Sequence, residues 1–325
     1  MLRPGENVVT SAVLDENHGT GYFATAESDF QYSLEEASAT LIRINLRHFS
    51  RVEDLKLPPG DAPLRAGLIN KAGSHAYFGI YGDPNKGTPA RVIGISLILW
   101  TVGPHVSFGK EDFGVSSGVM DPNEDMGYFG TLFGSIVGVH LPDVQLSGSL
   151  SLQKEDNAFQ CAVVDPQGQF AYFGTSAGNI MKIDLHKFDP VGNITVFRSD
   201  KGFRTAAINP AGDFAYFGTE ESPARITRIS LADFTSSGNL ALDAGENDLV
   251  ASVIDAKNDR VYFITGEVPA KIIEIALSTF RPVGTLTLPA ETGKVSCALD
   301  HTYRGRLFLA AGQQPARILQ VILNP

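Results

Sequence analysis

Residues 203–249 read FRTAAINPAGDFAYFGTEESPARITRISLADFTSSGNLALDAGENDL, and this stretch decides the fold. Four short runs rich in β-branched and aromatic residues, at 205–208, 214–218, 224–231 and 238–242, alternate with clusters of Gly, Pro, Asp and Asn. Runs of that length between turn formers are the strands of an antiparallel meander. The unit recurs along the whole chain. Its marker, the aromatic pair of the second run, falls at Tyr22-Phe23, Tyr77-Phe78, Tyr128-Phe129, Tyr172-Phe173, Tyr216-Phe217 and Tyr262-Phe263, with Leu307-Phe308 as the seventh. The spacings are 55, 51, 44, 44, 46 and 45 residues. Four strands repeated at this period predict a seven-bladed β-propeller with four-stranded antiparallel blades and almost no helix. Residues 1–325 then form a single β-propeller domain of seven repeats, each of 44–55 residues.

Each position of the repeat has a structural reason. An Asx residue opens the turn between the first and second strands: Asp15, Asn70, Asp121, Asp165, Asn209, Asp255 and Asp300. Asx side chains hydrogen-bond backbone amides a residue or two ahead and hold tight turns, so a ring of cation ligands is the weaker reading. The first strand carries adjacent small residues, such as Cys161-Ala162 and Thr205-Ala206, as expected of the innermost strand. The aromatic pair alternates faces, so one ring faces each neighbouring blade. Strand three ends on Phe49, Trp100, Phe188, Phe234 or Phe280, and repeat three breaks the rule with Leu141-Pro142-Asp143-Val144.

Bulk composition narrows the partners. Hydrophobic content of 43% with 19% charged residues suits a large packed core. A net charge of −10 lacks the basic face that nucleic acid requires. No apolar run reaches membrane-spanning length, and residues 1–15 lack a secretory leader's basic start and apolar centre. Cys161 and Cys297 sit on the first strands of distant repeats, which predicts two unlinked, buried thiols.

The rhythm of an Asx-Pro-x-Gly turn, an aromatic strand ending in Gly-Thr and a strand like ARITRISL resembles the YVTN-type propeller repeat, most closely over VVDPQGQFAYFGTSAGNIMKIDL at 163–185. The resemblance spans the chain in seven units, although Tyr-Phe-Gly-Thr stands where the family name implies Tyr-Val-Thr-Asn. It implies a propeller of the kind found in bacterial and archaeal surface proteins and in lactonase-like proteins, hence an extracellular or cell-surface setting. A propeller fold by itself names no function.

Candidate chemistry is sparse. Propeller ligands bind at the mouth, where the residues entering strand one are Thr10, Arg65, Ser116, Gln160, Arg204, Val250 and Val295. Arg65 and Arg204, with Gln160, are the polar candidates; two arginines clamp a carboxylate or phosphate, or pair with nearby acids. The longest mouth loop, within 24–40, carries Glu27, Asp29, Glu35 and Glu36 and suits a cationic partner. A Pro-Ala-Arg/Lys element precedes strand three at Arg91, Arg225, Lys271 and Arg317, best read as blade-to-blade ion pairs or solvated strand starts. His18, His75 and His301 fall in strand one–two turns, and His48, His140 and His186 near the end of strand three, all opposite the mouth. No zinc motif is present, and no catalytic residue, metal ligand or cofactor site is assigned. Two functions follow. One is a non-catalytic propeller binding a protein or glycan ligand at its top face, as a module of a larger surface or secreted protein. The alternative is a lactonase-like hydrolase or lyase with a scattered carboxylate and metal site.

Closure supplies the last expectation. Repeat seven has strands at 296–299, 306–310 and 316–323 and stops at Pro325. Residues 1–4 offer only a stub of a fourth strand, so the last blade should have three full strands, to be completed by residues preceding Met1 in a longer chain.

Overall fold

The computed structural model describes residues 2–27, 37–83, 85–110, 112–152, 158–198, 201–301, 304–312 and 314–323. Its strands form seven antiparallel sheets in chain order. Sheet one holds β1 (Val8–Asp15), β2 (Thr20–Ala26), β3 (Thr40–Asn45) and β4 (Ser50–Lys56). Sheet two holds β5 (Leu64–Ile69), β6 (His75–Ile80), β7 (Arg91–Ser96) and β8 (Thr101–Ser107). Sheet three holds β9 (Val115–Met120), β10 (Met126–Thr131), β11 (Ser135–His140) and β12 (Gln145–Ser151). Sheet four holds β13 (Phe159–Val164), β14 (Phe170–Thr175), β15 (Asn179–Asp184) and β16 (Asp189–Thr195). Sheet five holds β17 (Phe203–Ile208), β18 (Phe214–Thr219), β19 (Arg225–Ser230) and β20 (Thr235–Ala241). Sheet six holds β21 (Leu249–Asp255), β22 (Arg260–Thr265), β23 (Lys271–Ala276) and β24 (Arg281–Thr287). The seventh has three strands, β25 (Lys294–His301), β26 (Arg306–Gly312) and β27 (Arg317–Ile322). Leu2–Asn7 make a turn and no strand, with the Glu6 N–H bonded to the Arg3 carbonyl at 3.0 Å. Two single-turn 3-10 helices, Ala256–Asn258 and Ala290–Thr292, stand between strands, and no helix among the described residues is long and apolar enough to cross a membrane.

Two compact units emerge from the contacts, residues 1–152 with 310–319, and 153–309 with 320–325. In the first, sheets one to three pack in succession. Tyr22 of β2 shares a core with Phe78 of β6, and Tyr77 of β6 shares one with Phe129 of β10. In the second, Tyr172 packs with Phe217 and Tyr216 with Phe263 by the same rule. The expected division of the aromatic pair between two neighbouring blades is therefore observed for Tyr77-Phe78 and Tyr216-Phe217. Burial of such a ring stabilises by roughly 2 kcal/mol. The glycine after the pair makes room for the next blade: a Cβ on Gly218 would come within 2.9 Å of Leu249 and 3.0 Å of Phe263.

Three local details differ from expectation. The Asx side chains reach further than a residue or two: Asp165 Oδ1 accepts from Gln169 N and Oδ2 from Phe170 N, and Asn209 Oδ1 accepts from Asp213 N and Phe214 N. They therefore close the whole turn instead of its first corner. The aromatics assigned to the end of strand three lie one turn later, in the loop to strand four. Phe49, Trp100, Phe188, Phe234 and Phe280 all have left-handed backbone, with φ between 49° and 55°. Val144 adopts the same conformation at φ 52°, so repeat three keeps the geometry and changes only the side chain. Bulky residues avoid this region, and ring packing compensates: Phe234 stacks near Tyr172 with centroids 5.7 Å apart, and Phe280 near Tyr216 at 5.9 Å. Cys161 is buried and Cys297 half-buried, and both are free thiols raised in pKa by burial, Cys297 to about 12.

Candidate functional site

Antiparallel order puts the start of strand one and the loop between strands two and three at the same end of every blade. Two devices shape this upper end. The first is a β-bulge. Pairing skips Thr10, Ser116, Gln160, Arg204 and Val250, so each stands as the extra residue of its strand. Where the side chain is short it bonds locally, as Thr10 Oγ1 does to the Leu64 carbonyl at 2.7 Å. In sheet two the register instead shifts between Arg65 and Leu68, and Ala66 takes φ 47°. The second device is the threonine closing strand two. Buried Thr131, Thr175, Thr219 and Thr265 each accept, through Oγ1, the backbone N–H that starts strand three, at 2.8–3.1 Å. This is the role of the Gly-Thr ending, which pattern reading registered only as a motif.

The candidate residues divide as follows. Gln160 and Arg204 occupy the same slot in adjacent blades four and five, both half-buried. Arg65 is half-buried at the corresponding entry of β5, in the other compact unit. Arg204 Nη1 donates to Glu220 Oε1 at 2.7 Å and to Asp248 Oδ1 at 3.0 Å, tying blade five to the entry of blade six. Glu27 is exposed, and its carbonyl accepts from Asn7 Nδ2 at 2.9 Å. Asp29, Glu35 and Glu36 lie outside the described residues.

Other upper-end charges are also paired. Arg91 meets Asp61 at 2.6 Å, and Arg225 meets Glu221 at 3.0 Å four residues earlier, a pair within blade five and not the blade-to-blade contact expected. Asn247 Nδ2 donates to Glu267 Oε2 at 2.7 Å. The upper rim of blades five and six thus carries Glu220, Glu221, Asp243, Glu246, Asp248 and Glu267 against Arg204, Arg225 and Lys271. Among the described residues, no three His, Cys, Asp or Glu side chains gather where they could hold a metal ion. The histidines lie elsewhere: His18 bonds Asp15 in a strand one–two turn at 2.8 Å, and His140 bonds Asp143 after β11 at 2.5 Å.

No family model matches the chain, and no curated protein matches it. Among solved structures, the chain is similar to the β-propeller domain of Cps50 (Swd1) from Myceliophteria thermophila, with a TM-score of 0.77 at 11% identity, covering 99% of each chain. At that identity the likeness speaks for the fold alone. The protein is a seven-bladed all-β propeller built on four-stranded antiparallel blades.

Proposed function

We propose that residues 1–325 act as one non-catalytic propeller domain that docks a basic segment of a partner protein at the upper ends of blades five and six. The observation that carries this reading is Arg204 held between Glu220 and Asp248, at 2.7 and 3.0 Å. A cation bound to two carboxylates is not poised to seize an anion, and it leaves the rim of blades five and six in acidic excess. Lysines and arginines of a partner complement such a rim, steer its approach and set its register. Glu27 of blade one, with Asp29, Glu35 and Glu36 in the sequence, makes a separate acidic stretch in the other compact unit. Gln160, in the same slot of blade four, supplies a donor for the partner's carbonyl groups. The YVTN-type resemblance supports a place in a larger surface protein.

Fluorescence anisotropy with labelled Lys/Arg-rich peptides, at low and high salt, tests the reading. Saturable binding is expected, weakened by salt and by Glu220→Gln or Glu267→Gln. Failure of every basic peptide to bind, or steady turnover of a panel of lactones and esters, would overturn it.

A further inference from the structure

At the end of the blades opposite the rim, the turn between the first two strands is wound differently in blade six than in blade five. In blade five Asn209 Oδ1 holds the N–H groups of Asp213 and Phe214, and Gly212 takes the left-handed backbone at φ 74°. In blade six Asp255 Oδ1 accepts from Asn258 N at 3.3 Å, Ala256–Asn258 form a 3-10 turn, and the left-handed residue is Asp259 at φ 59°. The blade-five turn lies close on that of blade four, where a Cβ on Gly212 would stand 3.0 Å from Pro166. Between the turns of blades five and six stands a cavity of about 460 Å³, lined by Asn209, Ala211, Tyr216, Arg228, Asp259 and Leu277 among others. All of these residues belong to the second compact unit.

Two opposite charges line this cavity and do not pair with each other. The Arg228 guanidinium lies between two rings, 4.7 Å from the centroid of Phe214 and 4.9 Å from that of Phe280. Its Nε donates to Ser237 Oγ at 3.0 Å, its Nη2 reaches the Ser237 carbonyl only at 3.5 Å, and it hydrogen-bonds the Tyr216 phenol. None of these partners is a carboxylate, whereas Arg91, Arg204, Arg225 and Arg260 each have one within 3.0 Å. The anion is Asp259. Its Oδ1 accepts from Ser278 N at 2.9 Å and its Oδ2 from Ser278 Oγ at 2.5 Å, and the carboxylate remains 45% exposed. Arg260 Nη1 stays 3.9 Å from it, while Arg260 Nε binds Glu274. Asn209 adds a donor. In blade two the matching Asn70 gives its Nδ2 to Ser74 Oγ at 2.8 Å; in blade five the residue in the Ser74 place is Asp213, and no described residue accepts from Asn209 Nδ2.

Separated opposite charges in one cavity complement a molecule that carries both. We propose that the cavity between the turns of blades five and six binds a small zwitterionic amino acid. Its carboxylate meets the guanidinium of Arg228 and Asn209 Nδ2, its ammonium meets Asp259, and an apolar side chain lies over Ala211, Ala256 and Leu277. A guanidinium already fixed between two rings presents its planar fork to a carboxylate with little further ordering. A simple anion would be repelled by Asp259 and a simple amine by Arg228, so each half alone is disfavoured. The volume is that of a small-ligand pocket, and its walls combine apolar side chains with a few polar groups. The site lies at the opposite end of the blades from the acidic rim and does not depend on it.

Ligand-detected NMR titration of L-leucine against the full 325-residue chain tests the proposal, with L-leucinamide and N-acetyl-L-leucine as probes that lack the carboxylate and the ammonium respectively. Saturable binding of leucine is expected. Each analogue should bind at least about tenfold more weakly, the loss of one charge-assisted hydrogen bond. Two variants assign the charges to their residues. Arg228→Met keeps an unbranched stem between Phe214 and Phe280 and removes the fork; Asp259→Asn keeps a residue that tolerates left-handed backbone and an acceptor for Ser278. Each should weaken leucine about tenfold with the thermal midpoint moved by no more than a few degrees. Glu220→Gln should change nothing, which keeps this result separate from the rim experiment. Absence of leucine binding, an analogue that binds as tightly as leucine, or a folded Arg228→Met or Asp259→Asn chain that binds leucine like the wild type would overturn the proposal. The analogue series uses the wild-type chain alone and decides the matter even where a variant fails to fold.

Discussion

An aromatic ring on a left-handed residue is the device that locks successive blades within each compact unit. At Phe280 the ring covers Tyr216 and Gly238. The φ of 52° costs about 1–2 kcal/mol against a right-handed conformation. Phe280→Ala loses the packing and keeps the strain, so chemical denaturation should show a loss of about 3 kcal/mol. Phe280→Gly loses the same packing and escapes the strain, so it should lose about 1 kcal/mol less. At Phe49, whose ring is already 42% exposed, alanine should cost no more than about 1 kcal/mol. The recurrence of these aromatics was legible in the sequence. Their backbone was not, because five aromatics and a valine share a conformation that residue type normally argues against.

Between strands, the bulge and the buried threonine decide what the upper end presents. Thr219 is fully buried and receives the Arg225 N–H. Thr219→Val preserves shape and leaves that N–H without its acceptor, so stability should fall by about 1–2 kcal/mol. Arg204 belongs to the other category. It is 40% exposed beside partners of comparable exposure, so Arg204→Ala should cost less than about 1 kcal/mol. Its effect on binding separates two readings of the rim. Loss of Arg204 releases Glu220 and Asp248 and should tighten a basic peptide in anisotropy; an anion-clamping Arg204 requires instead that an acidic ligand bind the wild type and be lost from the variant.

Across the whole molecule, the repeated tyrosines tie stability to alkaline pH. Burial raises the phenols of Tyr22, Tyr77, Tyr128, Tyr172, Tyr216 and Tyr262, with Tyr128, Tyr216 and Tyr262 reaching about 12 from an ordinary 10.0. The unfolded chain therefore binds fewer protons than the folded one above pH 10. The stabilisation is complete below the unfolded value and is lost as pH rises from about 10 through 12. Urea midpoints should be flat with respect to tyrosine ionisation up to pH 10 and then fall, with tyrosinate absorbance appearing together with unfolding. Tyrosinate absorbance appearing near pH 10 in the folded chain would contradict this.

The seven-fold period, the four-strand unit, the inner small-residue strand and the shared aromatic cores were all determined by the sequence alone. Each arises from a local pattern of alternation and turn chemistry that repetition displays seven times. The candidate site was legible only as a set of positions. Arg204 and Asp248 stand 44 residues apart, and no local pattern tells a cation that is free from one held by acids of two blades. The exposure of Phe49 was illegible for the same reason: it depends on what packs against the residue, and Phe49 reads like its buried counterparts in the linear chain. Only the tertiary structure, by placing non-local neighbours, decided which charges are paired and which aromatic stands exposed.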